Sequence, residues 1–418
     1  MADIQPLRAL HYDRSVAGAL ADVTAPPYDV IDEAERAALS DRSPFNVVGI
    51  DLPRGDPDPY AAAAHLLARW RREGAIVRDE QPALWAHAQT YTGPDGRERT
   101  RQGFFCRVRV EEYGPGRIRP HERTHPGPKE DRLRLTRATR ANLSPIFALF
   151  SDPAGRAWEA LAGFTGGRPW GEVLDDDGTR HRIWPVHDAG AIAAVQQATR
   201  DCELLIADGH HRYETARVYA EEIGGEGDHR YVLTCLVALE DPGLTVFPTH
   251  RLVRGLDEER WRALDELVHS HFRLEPVAAA DLAPPAGDGP LSFGYVDRRD
   301  GATQRVTLRD QALADRALAD HAEPYRHLDS GVLEALILKG ALGYSDDDIS
   351  HLHGFGYARD AQQALALVAE GDYDAAFLLR PPPVTQVREV AGAGESMPPK
   401  STYFFPKLLT GLLFNPLE

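Results

Sequence analysis

Cysteine is scarce. Cys106, Cys202 and Cys235 are spread along 418 positions, too few and too far apart for a disulfide framework or a zinc site. That usage predicts a reducing, cytoplasmic setting. The opening residues Met-Ala-Asp-Ile-Gln-Pro lack the basic start and apolar stretch of a signal peptide. No apolar run approaches the roughly 20 residues of a membrane span. Cations are also in deficit: 47 Lys and Arg face 64 Asp and Glu, a net charge of −17. With no surplus of Lys or Arg to neutralise phosphates, neither nucleic acid nor an anionic membrane is expected as a partner. Internal repeats, low-complexity tracts, a nucleophile elbow, a His-Glu-x-x-His pair and a Cys/His cluster are all missing, so no metal ligands are assigned. What remains is a hydrophobic fraction of 43%, ordinary for a globular chain long enough for two or three domains.

The chemistry concentrates in Leu204-Leu205-Ile206-Ala207-Asp208-Gly209-His210-His211-Arg212-Tyr213-Glu214-Thr215-Ala216. Four apolar residues predict a short buried strand, Asp208-Gly209 breaks it, and helical spacing begins at His210. A helix start after such a turn offers free backbone N–H groups and the positive end of the helix dipole to an anion. His210, His211 and Arg212 add cations where the dipole disfavours them, and an anionic ligand, phosphate above all, would resolve the conflict. The plain structural alternative makes Asp208 a helix cap with the histidines in solvent.

A second rich segment runs Ile118-Arg119-Pro120-His121-Glu122-Arg123-Thr124-His125 into a basic helix with Arg132, Arg134, Arg137 and Arg140. Such a concentration of cations in an acidic protein suggests a grip on a small polyanion, or else a solvated helical face balanced by acids elsewhere. An ionised Glu122 beside a phosphate chain could act as general base or hold magnesium. Elsewhere the pattern predicts a strand at Val47–Ile50, a helix opening at Pro59, hairpins at 83–110 and 291–308, and an appended piece at 151–200. Ala25-Pro26-Pro27-Tyr28-Asp29 reads either as scaffolding or as the wall of a site, and His250-Arg251 as structural before functional.

Gly394-Glu395-Ser396-Met397-Pro398-Pro399-Lys400-Ser401-Thr402 has P-loop spacing, but Pro399 stands where the second glycine belongs and has no N–H to give a phosphate. Lys400, Ser401 and Thr402 remain candidates for a pocket. Gly354-Phe355-Gly356 lacks the preceding strand and third glycine of a dinucleotide fingerprint.

Ala25–Ile31, Pro120–Thr124, Arg137–Pro145, Ala207–Ala216 and Met397–Phe404 together resemble the family called domain of unknown function 1015, over essentially the whole chain. The order of an Arg-Pro-His-Glu segment, a buried strand after a proline, and a strand–Gly-His-His-Arg–helix also resembles the ParB/sulfiredoxin-like fold, which includes nucleotide-binding ParB proteins and free-serine kinases. This resemblance implies an α/β (α+β) fold: a mixed-sheet core at 101–256 with an insertion at 151–200, flanked by α/β additions at 1–100 and 257–418. It implies ATP or ADP, alternatively CTP, held at Gly209 and Arg212 with Arg119, His121, Arg123, Arg137, Arg140, Lys400, Ser401 and Thr402, and Mg2+ alongside. Glu122 would be the base, with Asp208, His210 and His211 in the catalytic group. The function expected is a nucleotide-dependent phosphotransferase for a small hydroxyl-bearing metabolite, free serine being one. A ParB-type nucleotide-binding interaction module and a phosphate-ester hydrolase are the alternatives. The proposition under test is that 119–125 and 208–212 close over one phosphorylated ligand.

Overall fold

The computed structural model describes residues 2–122, 126–287 and 289–418, with Pro126 and Pro128 by backbone alone. The chain divides into two compact units, one of Met1–Pro120, Thr124–Thr245 and Pro406–Glu418, the other of His121–Arg123 and Val246–Phe405. Both are mixed α/β. Among the described residues no helix is long and apolar enough to cross a membrane.

Among the described residues, the first unit is built on nine strands: β1 (Ile4–Gln5), β2 (Leu84–Thr92), β3 (Glu98–Arg109), β4 (Ile118–Arg119), β5 (Ile146–Phe150), β6 (Gly171–Leu174), β7 (Arg180–Val186), β8 (Leu204–Asp208) and β9 (Tyr231–Ala238). They lie in the order β4-β8-β5-β9-β3-β2-β7-β6, with β1 beside β3. The pairs β4–β8 and β5–β9 are parallel and the others antiparallel. Central strands covered on both faces need continuous apolar runs, and Ile146-Phe147-Ala148-Leu149-Phe150 is buried throughout. The 151–200 stretch supplies β6 and β7 at the sheet edge.

Helix α1 (Pro59–Arg72) starts on Asp58, whose carboxylate accepts from the Tyr60 and Ala61 N–H groups, and buries Ala63, Leu67 and Trp70. It packs on α2 (Pro126–Thr139), which in turn packs on α3 (His210–Ile223). The strand predicted at Val47–Ile50 is instead a helical turn, Val48–Asp51. The Asn46 side chain accepts from the Val48 N–H at 3.0 Å, a local bond that favours a helix start over a strand.

The last residues of the chain return to the first unit. Thr410 and Ala25 exchange backbone hydrogen bonds at 2.8 and 3.1 Å, Phe414 N–H donates to Leu10 at 2.8 Å, and Asn415 pairs with Asn142. This return fixes where Lys407 can reach.

Among the described residues, the second unit carries an antiparallel six-stranded sheet of β10 (His250–Val253), β11 (Phe272–Pro276), β12 (Ser292–Asp297), β13 (Gln304–Leu308), β14 (Phe355–Ala358) and β15 (Ala375–Leu378). Its order is β11-β13-β12-β15-β10-β14.

Candidate functional site

In the first unit the polar residues gather where β8 gives way to α3. Leu204, Leu205 and Ile206 are buried, and the register against β5 slips between Ile206 and Asp208. A bulge of this kind redirects the next side chain. Gly209 then takes φ +95°, a left-handed conformation for which glycine is the natural residue. A Cβ there would also lie only 3.0 Å from the Arg212 Nε, because Arg212 folds back over the turn.

Asp208 does not cap α3. Gly209 occupies the cap position and no side chain bonds there. One carboxylate oxygen of Asp208 accepts from Arg212 Nη2 at 2.8 Å and the other from Lys407 Nζ at 3.1 Å. Burial alone would raise its pKa, but Lys407 and Arg212, with His210 nearby, hold it well below the usual carboxylate range. Arg212 Nη1 also donates to Ser144 Oγ at 2.8 Å and to the Pro145 carbonyl. The Ser144 hydroxyl shares a 2.9 Å bond with Thr410. Thus the turn is braced by the Pro145 segment, by the returning C-terminal residues and, through Thr410, by Ala25 next to Pro26-Pro27.

Tyr28 lies 4.2 Å beneath the Arg132 guanidinium. Burial pushes its hydroxyl pKa up to about 12, against the pull of Arg212 and Arg132. Arg132 is itself matched by Asp51 at 3.0 Å and Asp131 at 2.6 Å. Arg101 on β3 donates to the Gln89 amide oxygen and, at 2.6 Å, to the Pro406 carbonyl. Gln89 in turn donates to the Lys407 carbonyl at 2.9 Å. Burial pulls the Arg101 pKa down to about 10. Lys407 also lines a cavity of about 380 Å³ with Thr24, Pro26, Glu35, Arg42 and Asp175.

Other predicted residues of this unit are engaged apart from the turn. Arg119 pairs with Glu203 at 2.8 Å. Arg137 pairs with Glu222 at 2.5 Å. Arg140 is exposed, with φ +49°, and its carbonyl accepts from Leu417. His210 is buried and His211 half-buried in the first turn of α3.

In the second unit, His121 and Glu122 lie against the 397–402 segment. The Met397 N–H donates to the His121 carbonyl at 2.7 Å, and Glu122 bridges to Met397. The Thr402 hydroxyl is 2.7 Å from His121 Nε2 and 3.5 Å from Glu122 Oε1. Ser401 is buried and bonded to Ser330 and to the Pro398 carbonyl. Lys400 is exposed with φ +57°. Arg251 secures this loop by donating to the Pro399 and Lys400 carbonyls, each at 3.1 Å. His250 accepts from the Leu379 N–H at 3.2 Å, a structural contact. Arg123 lies outside the described residues.

Lys407, Arg101 and Gln89 were not among the residues singled out from the sequence. Their signal is weak, because an isolated lysine after Pro406 and an arginine within a strand carry no spacing rule. Among the described residues no group of three or more His, Cys, Asp or Glu could hold a metal ion. Magnesium carried on nucleotide phosphates needs only one or two protein carboxylates, and both oxygens of Asp208 are already taken by cations.

The fold is mixed α/β, and the chain belongs to the family described as protein of unknown function (DUF1015), which matches residues 4–331. No curated protein matches it. Similar solved structures include a conserved hypothetical protein from Pyrococcus furiosus, with 14% identity and a TM-score of 0.34 over 69% of this chain and 87% of that one. A free serine kinase in complex with AMP has 14% identity and a TM-score of 0.36 over 69% and 83%. SbnI from Staphylococcus aureus, with a C-terminal truncation, has 12% identity and a TM-score of 0.38 over 73% and 85%.

Proposed function

We propose that the protein is a nucleotide-dependent phosphotransferase acting on a small hydroxyl-bearing metabolite, with free serine as one acceptor to try. The observation that carries this reading is the Asp208–Arg212 turn. It joins a left-handed glycine, the N-terminus of a 14-residue helix and two cations on a single carboxylate. A helix start with adjacent guanidinium and ammonium groups suits phosphate oxygens, and phosphoryl transfer depends mainly on such charge stabilisation. In this reading Arg212 and Lys407 hold the phosphates of ATP or ADP, and His210 and His211 contribute charge or donors. Magnesium, when bound, neutralises the phosphate chain. In the transfer the acceptor's hydroxyl oxygen bonds to the terminal phosphorus, its proton goes to a carboxylate base, for which Glu122 is the candidate, and the nucleotide leaves one phosphate shorter.

The test is direct. The full-length chain is titrated with ATP, ADP and CTP, then incubated with each nucleotide and a panel of small alcohols including serine, and the products are read by mass. Glu122→Gln is expected to keep nucleotide affinity while losing turnover, and Arg212→Gln to lose the affinity. Turnover unchanged in Glu122→Gln removes the assigned base. Nucleotide binding without any phosphorylated product would leave the protein a binding module.

A further inference from the structure

Where β5 and β9 end side by side, the first unit holds a second cavity, of about 200 Å³. The two strands are parallel neighbours, and their last residues, Phe150 and Ala238, are register partners. The space beyond the carboxyl ends of such strands is where α/β sheets commonly receive ligands. Phe104, Phe150 and Leu236, all buried, line the cavity from the sheet, and Ala157 and Trp158 line it from the helix Arg156–Ala162. The Phe104 and Phe150 rings meet edge-on at 6.1 Å. Walls of this composition accept a flat apolar body.

The charged residues of the lining are all acidic. Asp152, Glu240 and Asp241 supply three carboxylates, and no Lys, Arg or His lines the cavity. Each carboxylate takes its hydrogen bonds from neutral groups. Asp152 accepts from the Arg156 and Ala157 N–H groups at 3.0 and 2.8 Å, and so serves the helix start. Glu240 accepts from the Ser151 hydroxyl and the Asp152 N–H, each at 2.8 Å. Asp241 accepts from the Gly243 N–H at 2.8 Å and the Gln102 N–H at 3.2 Å. Burial raises the Asp241 pKa, and these N–H groups with the Arg101 charge offset it only in part. Glu240 is exposed, and a carboxylate that has accepted two hydrogen bonds can still accept others. Carboxylates beside apolar walls, with no cation among the lining residues, create a negative potential that favours a positively charged ligand.

We infer that this cavity binds a small organic cation, whose aromatic body packs on Phe104, Phe150 and Trp158 and whose ammonium group donates to Glu240. The site shares no residue with the Asp208 turn and does not depend on the proposed phosphotransfer.

The experiment is calorimetric titration of the full-length chain, at neutral pH, with phenethylamine, phenethyl alcohol and hydrocinnamate. All three carry a phenyl ring on a short chain, and they end in a cation, a neutral hydroxyl and an anion. The wild type is expected to bind the amine about tenfold or more tighter than the alcohol, the effect of one charge-assisted hydrogen bond, and hydrocinnamate most weakly. Glu240→Gln removes the charge but keeps an acceptor for the Asp152 N–H and gives Ser151 a donor in exchange. It is expected to lose most of the preference for amine over alcohol while the alcohol binds as before. Trp158→Ala is expected to weaken amine and alcohol alike. Equal binding of amine and alcohol by the wild type overturns the inference, as does tighter binding of hydrocinnamate or no binding of the amine. An undiminished amine preference in Glu240→Gln overturns it too. Should that variant fail to fold, Trp158→Ala decides, and unchanged amine affinity there overturns it.

Discussion

Asp208 and Lys407 meet at 3.1 Å although 199 positions separate them. The carboxylate arrives on a bulged strand that turns into a helix, and the ammonium on a C-terminal segment pinned to Ala25, Leu10 and Asn142. Because Asp208 also holds Arg212, it is the common counter-ion of one cation four residues along and another 199 positions away.

Asp208→Asn should therefore destabilise the protein by about 3 kcal/mol, the usual result of removing one partner from a buried ion pair and stranding the other charges. Urea unfolding at neutral pH measures it. The pH dependence has a definite sign. The folded-state pKa of Asp208 is below its unfolded value, so its stabilisation is complete above the unfolded pKa of about 3.9 and is lost as pH falls through the folded value. The variant should show a shallower loss of stability in that acid range, and an unchanged acid limb would contradict the pairing.

Gly209→Ala places a Cβ 3.0 Å from Arg212 at φ +95°. The conformational cost is roughly 1–2 kcal/mol, and Arg212 must move away from the turn. Thermal unfolding should register the first effect and weaker binding of inorganic phosphate the second. Full phosphate affinity in a folded Gly209→Ala protein would show that Arg212 does not need its present position.

Local chemistry was readable in the chain and distant pairing was not. Leu204–Ile206, the Asp208-Gly209 break and the helix to Ile223 follow from apolar runs and glycine punctuation, and they appear as expected. The 47–50 segment did not, because one Asn46 side-chain bond outweighed a β-branched pattern. Asp208 reads from the sequence either as a cap, since Asp-Gly commonly opens helices, or as part of a site, and in the structure it follows a bulge and bonds Arg212 and Lys407 instead of capping. The basic helix looked like a polyanion grip, but Arg137 finds Glu222, 85 residues away, and Arg132 finds Asp51, 81 residues away. Arg101 depends on a carbonyl 305 residues downstream. Periodicity reports the face of an element, not which remote segment will lie against it.

A second pH response should come from the sheet interior. His87 is buried between Phe105 and His181. Burial, aided by His181 and Arg101, holds its pKa well below the usual value. In the unfolded chain the ring protonates below about pH 6.5, whereas in the folded one it stays neutral, so stability falls as pH drops, by up to about 1.4 kcal/mol per unit for each such group. His181 has the same sign, its burial opposed by Asp175. Among the described residues His87 Nε2 has no hydrogen-bond partner, so His87→Leu gives up only the weak contact of Nδ1 with Cys235 Sγ at 3.9 Å. It should flatten the decline in stability below about pH 6.5 without abolishing it. Urea midpoints across that range check the claim, and an unaltered slope would count against a neutral buried His87.

The last prediction concerns Thr402, whose hydroxyl stands 2.7 Å from His121 Nε2 and 3.5 Å from Glu122. Thr402→Val keeps the shape and removes the hydrogen bond, at a cost of about 1 kcal/mol, while Thr402→Ser restores the hydroxyl. If Glu122 is the base of the proposed transfer, freeing it from this contact should lower turnover by about tenfold or more and leave nucleotide affinity nearly unchanged. Steady-state assays alongside nucleotide titration distinguish the effects, with Ser expected to recover turnover that Val loses. A Val variant with full turnover would mean that Thr402 only braces the loop. A parallel loss of affinity and stability in both variants would mean that the 397–402 segment, not its hydroxyl, is what the protein needs.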